Sequence, residues 1–310
     1  MTKILYAGNA DDWDEYRIQM QAALRNAGLN MLISNQCDDP EAVEYILYAP
    51  NGPIQDLTPF KNLKLVQSLW AGVEVALANE TITQPLARMV DIGMSIGMSD
   101  YVMGQILRHH LRTDKFSHAE IGDWDMSPPP LSIDRTVAFL GLGALGTYCA
   151  QKVADYGFRT IGWSRSLKSI DTIASFSGDD GLQTVLEQAD IIVLLLPNTP
   201  HTTNIINADL IARMKDGVAI INPGRGPLID DDALLAALDS GKVSSATLDV
   251  FHTEPLPVDH RYWTHPNVLV TPHVASSTRI DSASKIVVEN IRRGEHGEAF
   301  LHLVDRSAGY

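Results

Sequence analysis

Short apolar runs alternate with segments of helical spacing along the whole chain. Residues 3–8 (KILYAG) form an apolar run closed by glycine, the pattern of a buried strand. Over residues 11–27, Trp13, Tyr16, Met20, Ala23 and Leu24 recur on one side of a helix. Strand-like runs follow at 29–34, 42–48, 65–69 and 88–92. The spacing then predicts one long helix from Tyr101 to about His118, with Val102, Ile106, Leu107 and Leu111 apolar, and the Pro-rich stretch 123–130 (DWDMSPPP) ends it. A second, longer series starts at Thr136. Its strands are predicted at 136–141, 160–163, 191–196, 218–222, 245–249 and 268–271, with helices at 147–156, 208–214, 231–238 and 282–293. Strands alternating with helices imply parallel βα units and an α/β class.

The length of 310 residues is enough for two domains at about 150 residues each. Hydrophobic residues make up 45% and charged residues 20%, the balance of a soluble globular protein. Lys plus Arg is 24 and Asp plus Glu is 38, so the formal charge is 24 − 38 = −14. Such a surface repels phosphate backbones and anionic lipid, so neither a nucleic-acid nor a membrane partner is expected. Small anionic substrates stay open, because local cations can dominate a pocket. Cys37 and Cys149 are too few for a disulfide framework, and no Cys/His cluster has metal-ligand spacing, so no metal site is expected. Residues 1–8 do not read as a signal peptide and no apolar run approaches the ~20 residues of a membrane span, so a cytoplasmic location is expected.

The first chemistry-bearing motif is Gly141-Leu142-Gly143-Ala144-Leu145-Gly146, between a predicted strand and a predicted helix. In that context Gly141 makes the tight turn, Gly143 lets a pyrophosphate approach the backbone, and Gly146 lets helix and strand pack closely. The N–H groups of Ala144 and Leu145 open the helix, where a phosphate is attracted. The dinucleotide fingerprint expects an acid about 20 residues on, to bind the ribose 2′-hydroxyl. Here the second strand ends in Trp163-Ser164-Arg165-Ser166-Leu167-Lys168, with no acid, two cations and two hydroxyls. That set suits a 2′-phosphate, so NADP(H) is expected in preference to NAD(H).

Three later segments follow strands of the same series, where open parallel sheets bind ligands. Asn222-Pro223-Gly224-Arg225-Gly226 presents Arg225. The stretch 248–257 (LDVFHTEPLP) presents Glu254 in a Pro-stiffened loop. Thr271-Pro272-His273-Val274-Ala275 presents His273. An Arg, a carboxylate and a His over a dinucleotide site suit carbonyl chemistry.

Taken together, GLGALG, NPGRGPLIDDDALLAALDSG, LDVFHTEPLP and TPHVASST resemble the D-isomer-specific 2-hydroxyacid dehydrogenases over nearly the whole chain. WSRSLKS, LLLPNTP and the terminal VDRSAGY make it most similar to the glyoxylate/hydroxypyruvate reductase A group of that family. The resemblance implies two doubly wound parallel-sheet domains around a cleft: a Rossmann cofactor domain over 102–284, and a flavodoxin-like substrate domain over 1–101 completed by 285–310.

It also implies roles. Arg225 binds the carboxylate of a 2-keto acid, His273 is the acid/base, and Glu254 orients His273 and stabilises its charged form. Hydride passes from the nicotinamide to the keto carbon. His252, two residues from Glu254, is the rival histidine, but it lacks the strand-end position. Pro197, Asn198 and Thr199 resemble the family's loop beneath the cofactor, Pro223 and Gly224 adjoin it, and Asp249 matches a position near the nicotinamide carboxamide or else caps a loop. Trp70-Ala71-Gly72-Val73 resembles the loop whose backbone N–H groups take the substrate carboxylate, with Tyr48, Trp70 and Met98 as pocket walls. A homodimer built through 102–130 is implied, with Trp124 reaching toward the partner subunit.

A different class shares the fold and the triad, the dinucleotide-sensing co-repressors. Their disordered tail has no counterpart after the last predicted helix, which favours the enzyme. Formate dehydrogenases resemble this family with Gln where Glu254 stands.

Overall fold

Ile4 and Tyr6 pack into one core and Leu5 and Ala7 into another, so the first strand is buried on both faces. Two-sided burial is what a parallel sheet covered by helices requires, and it explains why the strands read as continuous apolar runs. The computed structural model describes residues 3–117, 122 and 124–309. They fold as two compact units, Met1–Met94 with Ser277–Tyr310, and Ser95–Ser276.

The first unit contains β1 (Ile4–Ala7), α1 (Trp13–Asn26), β2 (Ile33–Ser34), β3 (Tyr45–Tyr48), β4 (Leu65–Ser68), α2 (Glu74–Ala78) and β5 (Leu86–Ala87). All pairings are parallel, in the order β2-β1-β3-β4-β5 of a flavodoxin-like sheet. Tyr16, Met20 and Leu24 form the buried stripe of α1. Helix α3 (Ile92–Leu111) begins in this unit and continues into the second, followed by α4 (Thr113–Ser117).

The second unit adds β6 (Thr136–Leu140), α5 (Ala144–Tyr156), β7 (Arg159–Trp163), β8 (Ala174–Phe176), α6 (Gly178–Gln188), β9 (Ile191–Leu194), α7 (Ala208–Arg213), β10 (Val218–Asn222), α8 (Asp231–Ser240), β11 (Val243–Leu248) and β12 (Val268–Val270). Its parallel sheet runs β12-β11-β10-β9-β6-β7-β8, the doubly wound order with the switch point between β6 and β9. Val137 and Phe139 face one core, Ala138 and Leu140 the other.

Helix α9 (Ile280–His296) returns to the first unit, where Ala283, Val287, Val288 and Ile291 join the core that covers one face of the sheet. A buried polar link fastens it. Asn290 Nδ2 donates to Gln67 Oε1 at 2.8 Å, and Asn290 Oδ1 accepts the Leu301 N–H at 2.7 Å. The C-terminal segment then pairs antiparallel with β5 through Ala87 and Leu303.

Three expectations are corrected. The predicted strand at 88–92 is instead the two-residue β5 just before it, because Asp91 accepts the Met94 N–H at 3.0 Å and starts α3 at Ile92. The single helix from Tyr101 to about His118 starts earlier and ends at Leu111, where Arg112 takes φ +55°; His118 lies outside the described residues. The changeovers between units fall at 94/95 and 276/277 rather than 101/102 and 284/285. No break in pattern marks them, since Met98 of an unbroken helix already lies in the core of the second unit and Ala283 in that of the first.

Candidate active site

Gly141 leaves β6 with φ +111°, and a Cβ there would lie 2.4 Å from the Leu195 carbonyl oxygen across the switch point. A Cβ on Gly146 would lie 1.8 Å from the Gly141 oxygen, so this glycine is what lets α5 sit against the strand end. Gly143 differs, because a Cβ there would meet nothing within 4 Å. The protein's own packing does not demand this glycine. It stands exposed before α5 without a side-chain cap, beside the unpaired N–H groups of Ala144 and Leu145. Open space at an uncapped helix N-terminus fits a pyrophosphate.

At the end of β7, the Ser164 hydroxyl donates to the Ser166 carbonyl at 2.9 Å and its N–H donates to Phe176 at 3.1 Å. Ser164 therefore shapes the turn, and exposed Arg165, Ser166 and Lys168 present its polar groups. The loop after β9 is drawn together by Thr202, whose hydroxyl donates to Pro197 O at 2.7 Å and accepts the Thr199 N–H at 2.8 Å. Asn198 Oδ1 accepts from the Thr203 hydroxyl at 2.9 Å.

Buried Asn222 closes β10. Its Nδ2 donates to Arg225 O at 2.8 Å and its Oδ1 accepts the Gly224 N–H at 3.1 Å, which clamps Pro223, Gly224 and Arg225 into one turn. The half-buried Arg225 directs Nη1 to the Gly224 carbonyl at 2.7 Å. Beyond β11, Glu254 Oε1 accepts the Phe251 N–H at 2.9 Å, and Oε2 lies 2.7 Å from His273 Nδ1. A carboxylate only accepts, so Nδ1 carries the proton of that bond, and Nε2 is the nitrogen left for chemistry.

His273 sits beyond β12 with φ +53°, a left-handed conformation uncommon for a side-chain-bearing residue. Its N–H donates to Asp249 O at 2.8 Å. The Asp249 side chain is fully buried. Its Oδ1 accepts from the Thr271 hydroxyl at 2.6 Å and the Val274 N–H at 2.9 Å, and its Oδ2 accepts the Ala275 N–H at 2.9 Å. Asp249 thus anchors the loop that carries His273.

The sheet brings Arg225, Glu254 and His273 to the ends of three neighbouring strands, β10, β11 and β12. His252 is committed elsewhere: its Nε2 lies 2.9 Å from the Ile229 carbonyl and tethers the Glu254 loop. Of the expected pocket walls, Trp70 is exposed, with Ala71 and Gly72 half-buried beside it. Tyr48 and Met98 are buried, and so is Val73, which was expected through its backbone N–H rather than as a wall. Tyr48 points into the core of the first unit, and its hydroxyl donates to Gln55 at 3.1 Å. Met98 lies on the apolar stripe of α3 with Val102 and Ile106. Asn222 and Thr271 stand inside the motifs yet do their work through side-chain bonds that spacing does not reveal.

Comparison with known proteins gives one answer. Residues 101–275 match the model of the D-isomer specific 2-hydroxyacid dehydrogenase, NAD binding domain. The chain is 37% identical over 281 residues to glyoxylate/hydroxypyruvate reductase A of Yersinia enterocolitica, covering 88% of this chain and 89% of that one. A D-isomer specific 2-hydroxyacid dehydrogenase of Xanthobacter autotrophicus, solved with NADPH and MES, superposes with a TM-score of 0.92 at 38% identity, covering 100% of this chain and 99% of the other. The NADPH-dependent glyoxylate/hydroxypyruvate reductase of Sinorhizobium meliloti, solved with NADP and sulfate, gives 0.88 at 33% identity, with both chains fully covered.

Proposed function

The chain belongs to the D-isomer-specific 2-hydroxyacid dehydrogenase family, and we propose that it reduces small 2-keto acids such as glyoxylate and hydroxypyruvate to 2-hydroxy acids with NADPH. The observation that carries this reading is the 2.7 Å His273–Glu254 pair at the edge of a sheet whose switch point holds GLGALG. NADPH, when bound, supplies the hydride for the keto carbon. The chain's own part is binding, polarisation and proton supply. Arg225 pairs with the substrate carboxylate in a forked geometry and draws charge from the adjacent carbonyl. His273, protonated on both nitrogens, gives its Nε2 proton to the carbonyl oxygen as that oxygen gains charge. Glu254 offsets the imidazolium charge and fixes the ring through Nδ1.

NADPH is preferred over NADH. The acid-free loop with Arg165, Ser166 and Lys168 supports this, as do the relatives solved with NADPH or NADP. The chain also works as a homodimer. Phe116 of α4 and Trp124, Met126, Leu131 and Ile133 between α4 and β6 are all exposed, an apolar group that favours coverage by a second copy. Cys37 and Cys149 are both free, which accords with a reducing, cytoplasmic compartment.

The decisive experiment is turnover of a panel of 2-keto acids by the purified chain, with NADPH and NADH in parallel. NADPH oxidation with glyoxylate or hydroxypyruvate, abolished in Arg225→Ala and His273→Ala variants that remain folded, is the expected result. A folded chain that binds dinucleotide and turns over no 2-keto acid overturns the reading and leaves a dinucleotide-sensing module.

A further inference from the structure

Tyr101 of α3 lies outside every motif, yet it touches the anchor of the His273 loop. Its hydroxyl is 2.8 Å from the Thr271 hydroxyl, which is 2.6 Å from Asp249 Oδ1. The direction of the chain follows from proton bookkeeping. The carboxylate only accepts, so Thr271 spends its single proton on Asp249. The Tyr101–Thr271 contact then has one donor left, the phenol. Burial pushes the Tyr101 hydroxyl up to about 12, so it keeps that proton at any working pH.

The result is a one-way series, Tyr101 to Thr271 to Asp249, ending on a carboxylate that also holds the N–H groups of Val274 and Ala275. The backbone of Asp249 holds the N–H of His273 itself at 2.8 Å. These bonds bracket one residue in a left-handed conformation, and such a conformation persists only where its surroundings over-determine it. Further along α3, Arg108 and His109 both bond the buried Thr247 hydroxyl, at 3.0 and 2.9 Å, so the helix is fastened to β11 on the approach to Asp249.

We propose that Tyr101 is a positioning residue for His273, its phenol fixing through Thr271 and Asp249 the loop that aims the imidazole. The consequence for turnover rests on the reading of His273 as proton donor, whereas the consequence for the ring does not. Removing the phenol loosens aim rather than binding, so kcat falls while KM for keto acid and NADPH stays within about twofold. One lost neutral hydrogen bond corresponds to about a three- to tenfold loss of kcat.

The test compares the full chain with Tyr101→Phe, Thr271→Val and Thr271→Ser. Steady-state kinetics and nitrogen-15 NMR of the histidine rings are measured with NADP⁺ bound, and the His273 signals are identified by their disappearance in His273→Gln. Tyr101→Phe and Thr271→Val are expected to lower kcat alike and to broaden or move the His273 ring signals, while Thr271→Ser, which keeps the hydroxyl, restores both. Thermal melting monitors folding. Unchanged ring signals in folded Tyr101→Phe overturn the proposal, whatever the rate. Altered ring signals with unchanged kcat uphold the positioning and overturn instead the role of His273 as proton donor.

Discussion

His273 and Glu254 share one short hydrogen bond, Nδ1 to Oε2 at 2.7 Å, while the other oxygen of the same carboxylate takes the Phe251 N–H at 2.9 Å. The acid is therefore held by the backbone of its own loop before it holds the imidazole. Replacing His273 by Ala removes the proposed proton donor and should lower kcat by about 10²–10⁴-fold. Glu254→Gln keeps a hydrogen-bonding side chain but loses the charge that favours the imidazolium. Reduction should persist at a lower kcat, with KM for the keto acid little changed, because the ring keeps a hydrogen-bond partner but loses the charge that offsets the imidazolium. Steady-state kinetics check this, and a kcat identical to that of the unmodified chain refutes the role of Glu254.

Two of the three glycines of GLGALG should separate in a stability experiment. Gly146→Ala places a methyl 1.8 Å from a backbone oxygen, so α5 must shift, at a cost of about 1–3 kcal/mol or more. Gly143→Ala meets no protein atom within 4 Å and has φ −75°, so it should cost under about 1 kcal/mol. The same methyl enters the space argued to hold pyrophosphate, so NADPH affinity should drop sharply. Melting curves with and without NADPH distinguish the two variants. Undiminished NADPH affinity in Gly143→Ala would remove the phosphate from this site.

Arg165→Ala should raise KM for NADPH by about tenfold and leave NADH nearly unchanged. A larger factor is not expected, because the side chain is exposed and solvent screens part of the pairing. Equal losses with both cofactors would make Arg165 a structural residue of the loop.

Acid sensitivity should be traceable to His109. Burial, with Arg108 adding a like charge, lowers it to about 3, and hydroxyls of Thr247 and Ser245 meet its two nitrogens at 2.9 and 2.8 Å. The unfolded chain binds this proton near pH 6.5 and the folded chain does not until about pH 3. Stability should therefore fall as pH drops through that window, by up to about 1.4 kcal/mol per pH unit from this residue. His109→Gln should be less stable at neutral pH but show a flatter decline between pH 6.5 and 4, read from urea midpoints. Parallel declines would mean that His109 accepts a proton in the folded state.

How much of this was legible beforehand follows the range of the interactions involved. The strands β1, β3, β6, β9 and β10 were readable because burial on both faces leaves a run that is apolar except at its ends. Two of the four edge strands were not. β5 is two residues long, and β8 (Ala174–Phe176) is exposed or half-buried throughout, so neither carries an apolar signature. GLGALG and the placement of Arg225, Glu254 and His273 after strands were likewise visible, because turn chemistry and strand-to-loop order are local properties of the chain.

What only the tertiary structure decided is which side chains meet. Tyr48 and Met98 look as suitable for a pocket as Trp70 does, yet the sheet face and the helix stripe they occupy bury them. His252 is as close in sequence to Glu254 as a ligand could be, and the neighbouring loop after β10 takes its nitrogen. Tyr101 and Thr271 are 170 residues apart and bond only because α3 lies along the end of β12. Apolar periodicity and turn residues act over a few positions, so the sequence alone determines them. Hydrogen-bond partners across a doubly wound sheet depend on strand order and helix placement, and these are settled only when the whole chain packs.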